Sequence, residues 1–196
     1  MGFLSVLSFA QQMVKERVQL GDRVVDATMG TGVDTLFLAQ LVGERGHVAA
    51  FDIQAQALEL TRKRLDSGLG LDAAAHVDLR LASHADLVGA LPPEWHGQTA
   101  AVMFNLGFLP AAEADKAVMT EPSTTLAALE GALALLRPGG VLSVVLYPGH
   151  DGGDREADAV QAWAAGLPQV VGQALIYRIL QRPHAPYAIA IEKRRS

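Results

Sequence analysis

The chain has 196 residues, of which 50% are hydrophobic and 19% charged, and this predicts a single globular domain, 1–196, with a full core. It contains no cysteine, which excludes disulfides, thiolate catalysis and cysteine-based zinc sites. The formal net charge of −5 argues against broad binding to a nucleic-acid backbone, although a few exposed nucleotides can still be recognised.

Apolar runs alternate with amphipathic segments from one end of the chain to the other. Residues 1–18 predict a helix rather than a signal peptide, and no run of about 18 apolar residues predicts a membrane span, so we expect a cytoplasmic protein. The elements predicted after this helix are strand 23–27, helix 34–42, strand 46–52, helix 54–69, strand 76–82, short helix 85–91, strand 99–105, helix 122–140, strand 141–147, helix 154–167 and two strands within 169–180 and 186–193.

Continuously apolar strands separated by helices are typical of a parallel sheet covered on both faces. The last two strands lack room for a crossover helix, so we expect them to form an antiparallel hairpin at the sheet edge. The sequence therefore predicts an α/β fold, a doubly wound, seven-stranded, mostly parallel sheet with an antiparallel terminal hairpin. Ligands of such sheets bind at the carboxyl ends of the strands, near the switch in strand order.

A glycine-containing loop, VVDATMGTGVDT, follows the first predicted strand and opens a helix. Gly30 and Gly32 can adopt positive φ and let a ligand approach the backbone closely. Asp26 ends the first strand. Asp52 ends the second, where a carboxylate can accept hydrogen bonds from both hydroxyls of a ribose. Together these residues predict a nucleotide-binding site.

Two cofactors suit this outline. Dinucleotide-binding folds use G-x-G-x-x-G, but Thr35 stands at the third glycine position, and Asp34 at the helix start would repel a pyrophosphate. The pattern D-x-x-x-G-x-G from Asp26 to Gly32 instead suits S-adenosylmethionine, because an acid near the loop can hold its ammonium group. We favour S-adenosylmethionine. A nicotinamide-dependent oxidoreductase and a noncatalytic domain with the same fold remain alternatives.

Several segments resemble the bacterial tRNA 5-aminomethyl-2-thiouridine methyltransferases, a family long called rRNA methylases. The segments are SFA, VDATMGTGVDTLFLA, AFDIQAQAL, FNLGFLP, TEPSTT, YPGHDGG and AIEK. The resemblance implies the class I methyltransferase fold, S-adenosylmethionine as cofactor, and methylation of the exocyclic amine of a modified wobble uridine in the tRNA anticodon region. Methylation of rRNA or of a small-molecule amine remains an alternative. The chain departs from the family pattern at Ser123, at Pro148 and within residues 182–187.

Methyl transfer to an amine requires that the nitrogen be held with its lone pair directed at the methyl group. The Asn105 side-chain oxygen, with the backbone carbonyls of Leu106 or Gly107, is predicted to accept hydrogen bonds from the amine. Phe108 is predicted to stack on the uracil ring, and His150 to receive the proton. The alternatives are a strand-end cap for Asn105, core packing for Phe108 and a loop histidine without a role for His150.

The remaining site predictions follow from position at the same sheet edge. Ser83 has a helix cap as its alternative role. We predict no metal site, since the acids beside His150 are too weak a signal. A homodimer is a further hypothesis, because the chain is small for grasping an anticodon arm. The predicted cofactor-binding residues are Asp26, Thr28, Gly30, Gly32, Asp34, Thr35, Asp52, Ile53, Gln54, Ser83, His84 and Asn105, and the predicted substrate-binding residues are Phe108, Leu109, Thr124, Tyr147 and Gly149.

Overall fold

The structure is a computed structural model that describes residues 2–70, 74–107, 122–149 and 152–194. The helices are α1 (Val6–Lys15), α2 (Val33–Val42), α3 (Ala55–Leu69), α4 (Leu87–Ala90), α5 (Pro122–Leu135) and α6 (Gly153–Gly166), with short 3₁₀ turns at His84–Asp86 and Pro93–Trp95. The strands are β1 (Arg23–Asp26), β2 (His47–Asp52), β3 (Val77–Leu81), β4 (Thr99–Leu106), β5 (Leu136–Leu146), β6 (Gly172–Tyr177) and β7 (Tyr187–Lys193).

The seven strands form one sheet in the order β3-β2-β1-β4-β5-β7-β6. The five strands from β3 to β5 pair in parallel, whereas β7 is antiparallel to both β5 and β6. The predicted doubly wound sheet with an antiparallel terminal hairpin is therefore confirmed. The strand order reverses between β1 and β4, so the carboxyl ends of these two strands form the crevice where such sheets bind ligands.

The sheet separates two hydrophobic cores, because alternate residues of each strand point to opposite faces. In β1, Val24 belongs to one core and Val25 to the other. Buried side chains of α1, α2 and α3 join the Val24 core, and those of α4, α5 and α6 join the Val25 core. Each fully buried Val or Leu contributes roughly 1.5–3 kcal/mol relative to an exposed one, so the crevice has a rigid base.

The helix predicted over 122–140 is too long, because α5 ends at Leu135. Leu136 pairs with Thr99, and the ladder then shifts register until Val141 pairs with Ala101. Pro138 explains the early end, since proline has no N–H to donate and disfavours helical backbone in the residue before it.

Other predicted boundaries differ from the structure by a few residues. α1 begins only at Val6, where the Ser5 side chain caps the helix by accepting a hydrogen bond from the Ser8 N–H at 3.1 Å. The segment predicted as one helix over 85–91 divides into a 3₁₀ turn and the short α4. None of the helices in the described residues is long and apolar enough to cross a membrane.

Candidate active site

The loop between β1 and α2 is folded tightly against α3. Gly30 and Gly32 have positive φ, +51° and +80°. The Gly32 N–H donates to the Met29 carbonyl at 2.7 Å, and the Met29 N–H donates to the Phe51 carbonyl at 2.8 Å. A Cβ atom at Gly32 would lie 2.8 Å from the Thr61 Cα, so only glycine fits between the loop and α3.

Gly32→Ala is therefore expected to lower the free energy of unfolding by about 2–4 kcal/mol, because left-handed backbone and a clash with helix backbone act together. Gly97→Ala is the matched control: Gly97 also has positive φ, +70°, but a Cβ there would meet nothing within 4 Å. That control is expected to lose only about 1–2 kcal/mol in urea unfolding. Equal losses in the two variants would contradict this account of the loop.

Asp26 is a buried acid at the end of β1, with 1% of its surface exposed. Its carboxylate accepts hydrogen bonds from the Thr28 N–H at 3.1 Å and from the Thr35 hydroxyl at 2.6 Å. Burial, together with the negative charges of Asp34 and Asp52, raises its pKa to about 7. None of the ion pairs within the described residues involves Asp26. A cationic ligand group beside it would offset the free-energy cost of burying its negative charge.

The Thr35 hydroxyl gives a physical reason for the missing third glycine. It donates to Asp26, and a glycine at that position would leave the buried carboxylate with one hydrogen bond fewer. Thr35 therefore stabilises the Asp26 carboxylate, which explains why a threonine stands where a dinucleotide-binding motif has glycine.

Asp52 lies beside this loop at the end of β2. Its two carboxylate oxygens accept from the Gly30 N–H at 3.0 Å and the Gln54 N–H at 2.9 Å. Burial raises its pKa, and these hydrogen bonds oppose the rise. Ile53, the next residue, exposes an apolar side chain. The carboxylate thus lies at the end of the second strand, where doubly wound nucleotide-binding sheets place an acid for the ribose hydroxyls.

Ser83 and His84 follow β3 at the same edge of the sheet. The Ser83 hydroxyl accepts from the Ala85 N–H at 3.2 Å, as the cap alternative predicted. The His84 ring meets the Phe104 ring edge-on at 5.8 Å between centroids, and burial lowers its pKa. Its Nε2 is buried without a hydrogen-bond partner within the described structure. A buried unpaired nitrogen is costly, which favours a polar ligand atom beside it.

Asn105 lies at the end of β4 and joins that strand to the glycine loop. Its backbone N–H donates to the Thr28 hydroxyl at 2.7 Å. Its side chain forms hydrogen bonds with Asp34 and Tyr147. A carboxylate only accepts, so the hydrogen bond with Asp34 uses the amide nitrogen, whereas the Tyr147 hydroxyl both donates and accepts and can pair with either end of the amide.

Tyr147 follows β5, and its side chain lies beside Asn105 at the end of β4. Its ring lies against the backbone of Gly107, where a Cβ atom would be 3.3 Å from Tyr147 Cδ2. Burial raises the pKa of its phenol, a hydrogen bond with Asn105 opposes the rise, and the charge of Asp34 adds to it. Leu106, between these residues, is buried and pairs with Leu146 of β5.

Gln11 joins the site from α1. Its Nε2 donates to Asp34 Oδ1 at 2.8 Å, across a separation of 23 residues. Burial raises the pKa of Asp34, and the hydrogen bonds from Gln11 and Asn105 lower it by a smaller amount. The sequence carries no signal for Gln11, because a glutamine in an amphipathic helix is ordinarily a surface residue.

Two further predicted residues, Thr124 and Gly149, lie in α5 and in the segment after β5. Thr124 is exposed in the first turn of α5. The Gly149 N–H donates to the Asp154 carboxylate at 3.0 Å, which links the residues after β5 to the first turn of α6. Phe108, Leu109 and His150 lie outside the described residues, so their roles stay predictions.

Residues 48–192 match the protein-family model described as "Putative rRNA methylase", which covers more than half of the chain. The chain belongs to this rRNA methylase family. The family and the fold are those of S-adenosylmethionine-dependent methyltransferases, so the predicted enzyme class and cofactor are those of its family.

Several relatives support the same assignment to the rRNA methylase family. A chloroplastic tRNA (mnm(5)s(2)U34)-methyltransferase of Arabidopsis thaliana is 39% identical over 182 residues, which is 90% of this chain but only 65% of that protein's length. The structure of a "putative rRNA-methylase" from Clostridium thermocellum is 36% identical, covers 98% of this chain and 100% of its own, and has a TM-score of 0.90. A Streptococcus mutans methyltransferase in complex with SAH is 32% identical, with 98% and 99% coverage and a TM-score of 0.84.

Proposed function

We propose that the chain uses S-adenosylmethionine to N-methylate the aminomethyl group of 5-aminomethyl-2-thiouridine at the wobble position of tRNA. The observation that carries this proposal is the place of Asn105. It lies at the end of β4, where its backbone N–H donates to Thr28 of the glycine loop and its side chain hydrogen-bonds Asp34, and we assign its amide oxygen to the acceptor amine. The name of the Arabidopsis relative supports tRNA as the substrate.

Three described side chains fit the cofactor. Asp26 is an acid without a cationic partner in the described residues and would take the ammonium group. Asp52 would accept hydrogen bonds from the ribose hydroxyls, and the buried His84 Nε2 would pair with a polar atom of the adenine. The bound cofactor supplies the methyl group as an electrophile on its sulfonium sulfur.

The acceptor amine would lie between the side chains of Asn105 and Tyr147. The Asn105 oxygen accepts one amine hydrogen, and the carbonyls of Leu106 or Gly107 are candidates for another. This arrangement keeps the nitrogen lone pair free to meet the methyl group in line. Phe108 would stack on the uracil, a contact worth about 1–3 kcal/mol per base in single-strand binders.

Labelled S-adenosylmethionine tests the proposal, because the transferred label marks whichever molecule accepts the methyl group. We expect label in tRNA from a strain that lacks this methylation, and little in fully modified tRNA, rRNA or small primary amines. Label in rRNA or small amines, with none in undermodified tRNA, would overturn the assignment of the substrate.

Three expectations from the sequence stay predictions: one domain over 1–196, a cytoplasmic location and a homodimer. The dimer would supply basic surface for the anticodon arm. Sedimentation that gives a strict monomer in the presence of tRNA would contradict it.

A further inference from the structure

Asp34 is hydrogen-bonded by side chains of elements other than its own helix. Gln11 of α1 donates to its carboxylate at 2.8 Å, and Asn105 of β4 hydrogen-bonds it. The titratable groups that act on or respond to it are Asp26 of β1 and Tyr147 after β5. Only 9% of its surface is exposed, so the carboxylate is held in one place.

Three acids at this edge of the sheet, Asp26, Asp34 and Asp52, take part in no ion pair within the described residues, and Asp52 is assigned to the ribose hydroxyls. Asp26 and Asp34 repel each other. The proposed reaction brings two ammonium groups, one on the cofactor and one on the acceptor. Asp26 lies against the glycine loop and suits the first. Asp34 contacts Asn105, the residue proposed to hold the acceptor, and so suits the second.

We propose that the Asp34 carboxylate binds the ammonium form of the acceptor and takes its proton, and that Gln11 is the positioning residue for this carboxylate. The inference rests on the proposed function and deepens it, since it assigns the acceptor subsite and its base. It gives the proton a destination within the described residues.

The proton of the acceptor amine moves before the methyl group does. The N–H bond of R–CH₂–NH₃⁺ breaks and an O–H bond forms on Asp34, which gives R–CH₂–NH₂ and a neutral carboxylic acid. The freed nitrogen lone pair forms the new N–C bond as the methyl–sulfur bond breaks with its electron pair remaining on sulfur. The product leaves as R–CH₂–NH₂⁺–CH₃, and Asp34 releases its proton to solvent.

The role of Gln11 follows from its hydrogen bond. An N–H donated to a carboxylate favours the charged form, which is the form that must meet the substrate. The bond is made to Oδ1, so the Gln11 amide does not occupy Oδ2. The neighbouring Gln12 side chain donates to Glu16 at 3.0 Å on the exposed side of α1, so it offers a matched control.

Single-turnover methyl transfer to undermodified tRNA, followed from pH 6 to pH 9, tests the proposal. The wild-type rate is expected to change less than about threefold between pH 7 and pH 9. Asp34→Asn is expected to be at least about 100-fold slower at pH 7. Its rate should rise about tenfold per pH unit, because solvent must then deprotonate an alkylamine whose pKa is near that of lysine, about 10.4. Asp34→Glu should restore at least about a tenth of the wild-type rate.

Two further measurements separate this role from a structural one. The affinity of Asp34→Asn for S-adenosylhomocysteine should stay within about threefold of wild type, and exposed Asp158→Asn should change neither rate nor affinity. Gln11→Leu should slow transfer about tenfold and move the acidic limb of the profile to higher pH, since it removes a donor from the carboxylate. Gln12→Leu should do neither.

An Asp34→Asn rate within threefold of an active wild type, or a pH profile parallel to the wild-type one, would overturn the role of Asp34 and leave the proposed function standing. A wild-type protein that methylates neither tRNA nor any amine would overturn both.

Discussion

Asn105→Ala is expected to slow methyl transfer about 100- to 1,000-fold and to leave the affinity for S-adenosylhomocysteine within about threefold. The physical reason is that the side chain is the proposed acceptor for the amine, whereas Asp26 and Asp52 are the residues proposed to hold the cofactor. The rate is measured in single turnovers on undermodified tRNA, and the affinity by isothermal titration calorimetry.

The same change also removes a hydrogen bond from the buried Asp34, so a loss of about 1–3 kcal/mol in unfolding free energy is expected alongside. Urea unfolding shows whether enough stability remains for the activity assay to be read. Gln98→Ala, at an exposed amide just before β4, serves as the control and should retain both rate and stability. Turnover near that of wild type in a folded Asn105→Ala protein would remove the account of the acceptor site.

Asp52→Asn is expected to weaken S-adenosylhomocysteine binding about 100-fold. A hydrogen bond to a charged group contributes roughly 1.5–3 kcal/mol, and the proposed pairing with two ribose hydroxyls involves two such bonds. The variant also turns an amide donor towards the Gly30 or Gln54 N–H, which disturbs the loop itself. Calorimetry measures the affinity, and Asp158→Asn again serves as the charge-matched control.

The nicotinamide alternative is tested in the same series by thermal shift. S-adenosylhomocysteine should raise the midpoint of wild type and NAD should not, because Asp34 disfavours a pyrophosphate at the start of α2. For the ribose site, the contradicting result would be an Asp52→Asn affinity for S-adenosylhomocysteine within threefold of that of wild type.

The parts of this molecule that the sequence predicts best are those with the strongest local pattern. Buried parallel strands such as β4 are continuously apolar, so their number and order of appearance could be read directly. The glycine loop and the acids that end β1 and β2 follow a recognisable spacing, which predicts a nucleotide site at this edge of the sheet. The end of α5 was missed because the apolar run crosses the boundary from Leu135 to Leu136, and the residues that break the helical pattern, Arg137 and Pro138, come only after β5 has begun.

Long-range contacts account for what the sequence could not give. Gln11 reaches Asp34 because α1 packs beside α2, and no spacing rule connects a glutamine of one helix to an acid in the first turn of another. The role of Thr35 likewise appears only once its hydroxyl is seen to donate to Asp26. From the sequence, Ser83 could be either a cofactor-binding residue or a helix cap. In the structure its hydroxyl accepts a hydrogen bond from the Ala85 N–H, which is the capping role.

Nucleoside mass spectrometry of digested tRNA tests the central claim most directly. Undermodified tRNA is incubated with the purified wild-type protein and S-adenosylmethionine, and its wobble nucleoside is compared with that from a reaction containing Asn105→Ala. The account predicts that 5-aminomethyl-2-thiouridine gains one methyl group on its amine with the wild-type protein and stays unchanged with the variant. A wobble nucleoside that remains 5-aminomethyl-2-thiouridine with active, folded wild-type protein, or that is methylated on any other atom, would contradict it.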